Sequence, residues 1–148
     1  MNPAATTLLR EGQEKFFAEP PDLEGALDRF LRVVRLRPGW VEGHHWLAPA
    51  YEGLGRTDDA EATYRTAVAC DPADSRPHIS LGHLMLKEAR FDEAIQQLQR
   101  GLALKPHDAG ADARLFLAEA NEGAGRLSKA RAEWTRGRGN ERILPVLR

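Results

Sequence analysis

The sequence predicts an all-α fold of tandem helix-turn-helix units, and three observations predict it. Pro38, Pro72 and Pro106 recur at a step of 34 residues, the length of a two-helix repeat unit. Three further columns keep the same step: Ala26, Ala60 and Ala94; Phe30, Tyr64 and Leu98; Phe17, Tyr51 and Met85. Within a unit, apolar residues fall at i, i+1 and i+4, as in Leu47, Ala48 and Tyr51, which places them on one stripe of a helix.

Taken in order, the first unit spans about residues 7–40 and has the weakest opening helix, with Gln13 and Glu14 where a large and a small apolar residue are expected. Phe17, Ala26, Phe30 and Pro38 keep its register. The second, 41–74, carries His44, Leu47, Ala48 and Tyr51 on one helix and Ala60 and Tyr64 on the next, before Pro72. The third, 75–108, repeats this as His78, Leu81, Gly82, Met85, Ala94, Leu98 and Pro106. The fourth, 111–138, follows two extra residues around His107 to Gly110 and reads Leu117, Ala118, Asn121, Ala130 and Trp134, without a closing proline. Small residues at 48, 82 and 118 and at 60, 94 and 130 allow close helix approach beside the aromatic column. Gly55 and Gly125 predict left-handed caps between paired helices, and Asp71-Pro72 starts the turn into the next unit. A tail, 139–148, adds Ile143, Leu144, Val146 and Leu147 around Pro145.

These columns resemble the tetratricopeptide repeat family, whose pattern of Trp, Leu-Gly, Tyr, Ala, Phe and Pro they follow over roughly residues 7–138. The resemblance implies a single domain, a right-handed α-α superhelix of four repeats whose concave face is lined by the first helix of each repeat. Such folds hold a partner polypeptide as scaffold or adaptor. At 100° per residue, the face opposite the packing stripe selects Glu42, His45, Trp46, Pro49, Glu52 and Gly53 in the second repeat. It selects Arg76, Ile79, Ser80, His83, Leu86 and Lys87 in the third, and Asp112, Leu115, Phe116, Glu119, Glu122 and Gly123 in the fourth. In the first it selects Leu8, Glu11, Gly12, Lys15, Ala18 and Glu19.

Trp46, Ile79, Leu86, Leu115 and Phe116 are apolar on a face that solvent alone would leave polar. Trp46 and Phe116 share a column with Ser80 between them, and are expected to flank a pocket on the order of 20 Å across, at about 10 Å per interaxial step. Seven acidic residues there (Glu11, Glu19, Glu42, Glu52, Asp112, Glu119 and Glu122) outnumber Lys15, Arg76 and Lys87. An apolar partner segment with basic flanks is the expected ligand, selected by Glu42, Glu52, Glu119 and Glu122. Relatives that grip a C-terminal carboxylate use a basic clamp; the matching places hold Glu11, Lys15, Trp46, Arg76 and Ser80, so this chain is not expected to belong to that subtype. Pro49 removes one helical hydrogen bond and is expected to bend the helix beside Trp46.

Composition narrows the remaining classes. The 21 basic and 22 acidic residues leave a net charge of -1, so no global field draws the protein to nucleic acid or an anionic membrane. Arginines do gather at 29, 32, 35 and 37 and, toward the end, at 126, 131, 136, 138, 142 and 148. Aromatic residues are not interleaved with them, and Asp28, Glu133 and Glu141 dilute the charge. Cys70 has no disulfide partner, and the N-terminal segment has no export signal, so a reducing, cytoplasmic setting is expected. No apolar run approaches a membrane span. The five histidines lack metal-site spacing, and His44 and His78 read as packing residues of the Trp column. No nucleophile-base pair, phosphate loop or enclosed carboxylate pair is present, and no enzyme activity, cofactor or metal is expected. The alternative to a scaffold is a self-associating repeat protein whose basic, apolar tail or uncovered end joins copies into a homo-oligomer.

Overall fold

The computed structural model describes residues 2–104 and 110–137, with backbone alone at 110 and 111. The tail at 139–148 and the loop around His107, with the expectations attached to them, lie outside the described residues. Eight helices and no strand occur among the described residues: α1 (Pro3–Phe16), α2 (Leu23–Leu36), α3 (Val41–Gly53), α4 (Thr57–Cys70), α5 (Ser75–Lys87), α6 (Phe91–Leu104), α7 (Gly110–Gly123) and α8 (Leu127–Gly137). They divide into two compact units, Met1–Pro77 and His78–Arg148.

Helix starts are set by local chemistry. Asn2 accepts from Ala4 N–H at 3.1 Å, with Pro3 at the first helical position, and Asp22 accepts from Gly25 N–H at 2.9 Å to open α2. Both acceptors satisfy donors that a helix N-terminus leaves unpaired. Three helix ends close identically. Arg56, Arg90 and Arg126 N–H reach back to Tyr51, Met85 and Asn121 C=O, while Gly55, Ala89 and Gly125 N–H reach Glu52, Leu86 and Glu122 C=O. That is the double closure of a Schellman motif around a left-handed residue. Gly55 and Gly125 adopt φ of +73° and +75°, as their sequence positions predict, and Ala89 takes φ +58° in the same role.

In the first unit the core is Leu9, Ala26, Leu27, Phe30, Val33, Leu47 and Ala50. In the second, Leu81, Leu84, Met85, Ala94, Ile95, Leu98, Leu117 and Ala118 are buried. The small columns are closed as predicted: Ala48, Ala60, Ala94 and Ala118 have no exposed surface, and a Cβ added to Gly82 would meet Leu98 Cγ at 2.7 Å. His44 and His78 are buried packing residues; His44 Nε2 donates to Pro38 C=O at 2.7 Å, and His78 Nδ1 is hydrogen-bonded to Gln97 Oε1 at 3.0 Å. Cys70 ends α4, half-buried, with its thiol 3.6 Å from the same Pro38 oxygen.

The first hairpin corrects the sequence register. Gly12, not Glu14, is the small residue against the second helix, because a Cβ there would lie 2.5 Å from Phe30 Cε1. Gly12 precedes Phe30 by 18 residues, whereas Gly82 precedes Leu98 by 16. The α1–α2 turn absorbs the excess: residues 17–22 connect those helices, against 54–56, 88–90 and 124–126 elsewhere. Phe17, expected in the packing column with Tyr51 and Met85, therefore lies past the end of α1 and is 66% exposed. Within α8 only Ala130 is fully buried; Ser128, Lys129, Arg131, Thr135 and Arg136 are exposed, and so is Leu127 at 54%.

Candidate functional site

In the first unit, α3 and the start of α5 bring Glu42, His45, Trp46 and Arg76 together. Arg76 Nη1 donates to Glu42 Oε2 at 2.9 Å and Nη2 to Asp74 Oδ2 at 2.7 Å. Glu42 also accepts from Trp46 Nε1 at 3.0 Å. Burial alone would raise the Glu42 and Asp74 carboxyls, but the Arg76 hydrogen bonds outweigh it and hold both below the ordinary carboxylate range. His45, half-buried between these charges, is lowered first by burial and then by the Arg76 cation, against the pull of Glu42 and Asp74. Its Nδ1 is buried without a hydrogen-bond partner.

Trp46 is a packing residue as much as a surface one. Its ring meets Phe16 and Phe17 edge-on, with centroids 6.1 and 5.7 Å away, and Phe30 at 6.2 Å. In place of the expected open anchor, Trp46 is a half-buried ring in contact with Phe16, Phe17 and Phe30. Pro49 lies inside α3, which runs on to Gly53. Glu52 accepts from Tyr64 OH at 2.6 Å. Glu42 and Glu52, both expected to select basic flanks, are thus held in internal hydrogen bonds. The first-repeat residues differ similarly: Gly12 is buried, Glu11 pairs with Arg29 at 3.0 Å and Lys15 with Asp22 at 2.7 Å, while Glu19 stays exposed.

In the second unit, His83 of α5 stacks on Phe116 of α7, ring centroids 4.1 Å apart and planes 9° from parallel. Both are half-buried, as are Ser80, Leu86 and Leu115; Lys87, Asp112, Glu119 and Glu122 are exposed. Ile79 is corrected: at 7% exposure it belongs to the core and cannot anchor a ligand. The reason is that α5 buries Pro77, His78, Ile79, Leu81, Gly82, Leu84 and Met85, more than one helical face. A single packing stripe at 100° per residue therefore overestimates its open side.

Phe16 and Phe17 as a surface cluster, and Asp74 as the second partner of Arg76, were not legible in the repeat pattern. Pro20-Pro21 was the available signal for the first, since two prolines in succession cannot continue the first helix and so lengthen the turn. The arginines gathered in the first unit are largely matched: Arg29 binds Glu11 and Asp28, Arg32 lies 4.0 Å from Asp28, and Arg37 sits over the Trp40 ring at 4.4 Å. Among the described residues no group of three or more His, Cys, Asp or Glu could hold a metal ion. No helix among them is long and apolar enough to cross a membrane.

Helix pairs in register, small columns against large ones and repeated caps define the architecture, and residues 22–75 and 79–137 match the tetratricopeptide repeat family. This chain belongs to the tetratricopeptide repeat family. Repeats of this family are protein-interaction scaffolds. The chain is 26% identical over 102 residues to the small glutamine-rich tetratricopeptide repeat-containing protein 2 of Mycosarcoma maydis, a match covering 69% of this chain and 28% of that protein. It spans well under a third of that relative's length. Solved structures share the fold, two of them as follows. MamA from Desulfovibrio magneticus has a TM-score of 0.76 at 20% identity, over 90% of this chain and 73% of that one. PilF from Pseudomonas aeruginosa has a TM-score of 0.81 at 18% identity, over 92% of this chain and 60% of that one.

Proposed function

We propose that this tetratricopeptide repeat chain is a non-enzymatic, cytoplasmic adaptor that holds a partner polypeptide against the first helices of its repeats. The observation that carries the reading is the His83–Phe116 stack, two half-exposed rings on the first helices of neighbouring repeats. A stacked aromatic pair with partly exposed faces offers large contact area at little entropic cost. Leu86 and Leu115 extend the apolar surface on the same two helices, and Glu119 and Glu122 are exposed carboxylates that favour a segment with Lys or Arg flanks. In the first unit, Trp46 and Pro49 offer a half-buried apolar contact beside the Arg76 network.

Capture of a partner from lysate by the immobilised chain, read by mass spectrometry, tests the reading. Phe116→Ala is expected to lose the specifically captured protein while retaining helicity; Trp46→Ala is the weaker probe, because that ring also packs on Phe16 and Phe30. Undiminished capture by Phe116→Ala, or no specific capture at all, overturns it.

A further inference from the structure

We infer that the α1–α2 turn of the first unit is a second docking point, in which Phe17 receives an aliphatic side chain and Glu19 a Lys or Arg of a basic-aliphatic partner segment. The inference rests on the scaffold reading and adds to it a contact point and a partner chemistry.

Phe17 is the most exposed large hydrophobic residue among those described, at 66%. Free exposure would leave such a ring mobile, but this one is fixed. It packs on Phe16 at 5.2 Å and Trp46 at 5.7 Å between centroids, both close to perpendicular, and the backbone beneath it is held by its N–H donating to Gln13 C=O at 3.0 Å. The exposed part of the ring is thereby held by two aromatic contacts, and a ligand that covers it loses little ordering entropy at the protein. The turn itself is fastened by Asp22, whose N–H reaches Lys15 C=O at 3.0 Å and whose carboxylate takes Lys15 Nζ at 2.7 Å.

Charge settles which segment fits. Lys15 and Asp22 neutralise one another, and Glu19, two residues after Phe17, is exposed, its carboxylate without a hydrogen-bond or ion-pair partner among the described residues. Glu14 is paired with Arg10, so the carboxylates left over around the turn are Glu19 and Glu24, with no basic residue between them. A cation beside Glu19 gains from this field and, if arginine, from the ring face as well, whereas an acidic segment is repelled.

Fluorescence polarisation on the full chain with three fluorescein-labelled decapeptides tests it, their cores alternating Leu-Arg, Leu-Glu and Ser-Arg. The Leu-Arg peptide is expected to bind, and the other two to bind at least about tenfold more weakly. Phe17→Ser is expected to weaken the Leu-Arg peptide by about tenfold with circular dichroism unchanged. Glu19→Lys, at an exposed position, is expected to weaken the Leu-Arg peptide and strengthen the Leu-Glu peptide. Binding of none of the three, equal affinity for Leu-Arg and Leu-Glu, or indifference to both substitutions overturns the inference. Partner capture that survives Phe17→Ser and Glu19→Lys but is lost in Phe116→Ala would sink this docking point and leave the scaffold reading standing.

Discussion

Gly12 lies directly against the ring of Phe30, so close that a Cβ at position 12 would sit 2.5 Å from Cε1 and 2.8 Å from Cδ1. Phe30 has no exposed surface and is among the largest fully buried side chains. Gly12→Ala should therefore destabilise the chain by about 1–3 kcal/mol through overpacking, despite the gain in helix propensity of about 1 kcal/mol that the same change brings at an open site. Urea denaturation measures this, and a variant as stable as the parent would show that the α1–α2 packing yields.

Ala89 occupies with φ +58° the place that Gly55 and Gly125 fill in the neighbouring hairpins. An L side chain there carries a left-handed cost of about 1–2 kcal/mol, offset in part by the greater freedom glycine has when unfolded. Ala89→Gly should raise stability by roughly 0.5–1 kcal/mol, which for a chain of this length is a rise of about 2–4 °C in Tm. An unchanged or lower Tm in differential scanning calorimetry would argue against strain at this turn.

Burial and Arg76 hold His45 below its ordinary value of 6.5 in the folded chain. The unfolded state then binds the proton first, so stability is full above about pH 6.5 and falls as pH drops through the lowered folded value. Glu42 and Asp74, held below 4.5 and 3.8, add a second loss at lower pH in the same direction. His45→Gln should flatten the stability profile between pH 5 and 7 and leave the lower limb in place. A slope unchanged by this substitution, read from urea midpoints across pH, would assign it elsewhere.

Burial is the larger downward influence on His45 and Arg76 the second, while Glu42 and Asp74 pull the imidazole upward. Arg76→Met should raise the His45 pKa, visible as an upward shift of its imidazole titration in NMR spectra. The stability cost is expected to be modest, about 1 kcal/mol or less, because the guanidinium is 46% exposed and solvent screens the pair. A downward or absent shift would contradict the arrangement of charges around His45.

The first and last described helices expose mainly polar residues: Thr6, Thr7, Arg10 and Glu14 on α1, and Lys129, Arg131, Thr135 and Arg136 beside Leu127 on α8. Light scattering should accordingly give the monomer mass of 16.5 kDa for the full chain, and an unchanged oligomeric state for a chain ending at Gly139. A dimer that disappears on truncation would favour association through the tail instead.

The sequence by itself determined the helix pairs, the small columns at 48, 82, 118 and 60, 94, 130, the left-handed glycines, and the packing role of His44 and His78. These features are periodic, and in a repeat array each contact is made by an adjacent element at a nearly constant spacing, so the period alone encodes them. Tertiary structure decided what periodicity does not carry. A turn absorbs extra residues without disturbing the hydrophobic pattern, so the register of α1, the burial of Gly12 and the exposure of Phe17 followed from how α1 packs on α2. The fates of Glu42 and Arg76 were equally hidden, because the partners lie 34 residues apart and only folding brings a carboxylate to one guanidinium rather than to water or a ligand. Ile79 was lost to the core for a related reason: the face a helix buries is set by how many sides are covered, a quantity its own sequence does not contain.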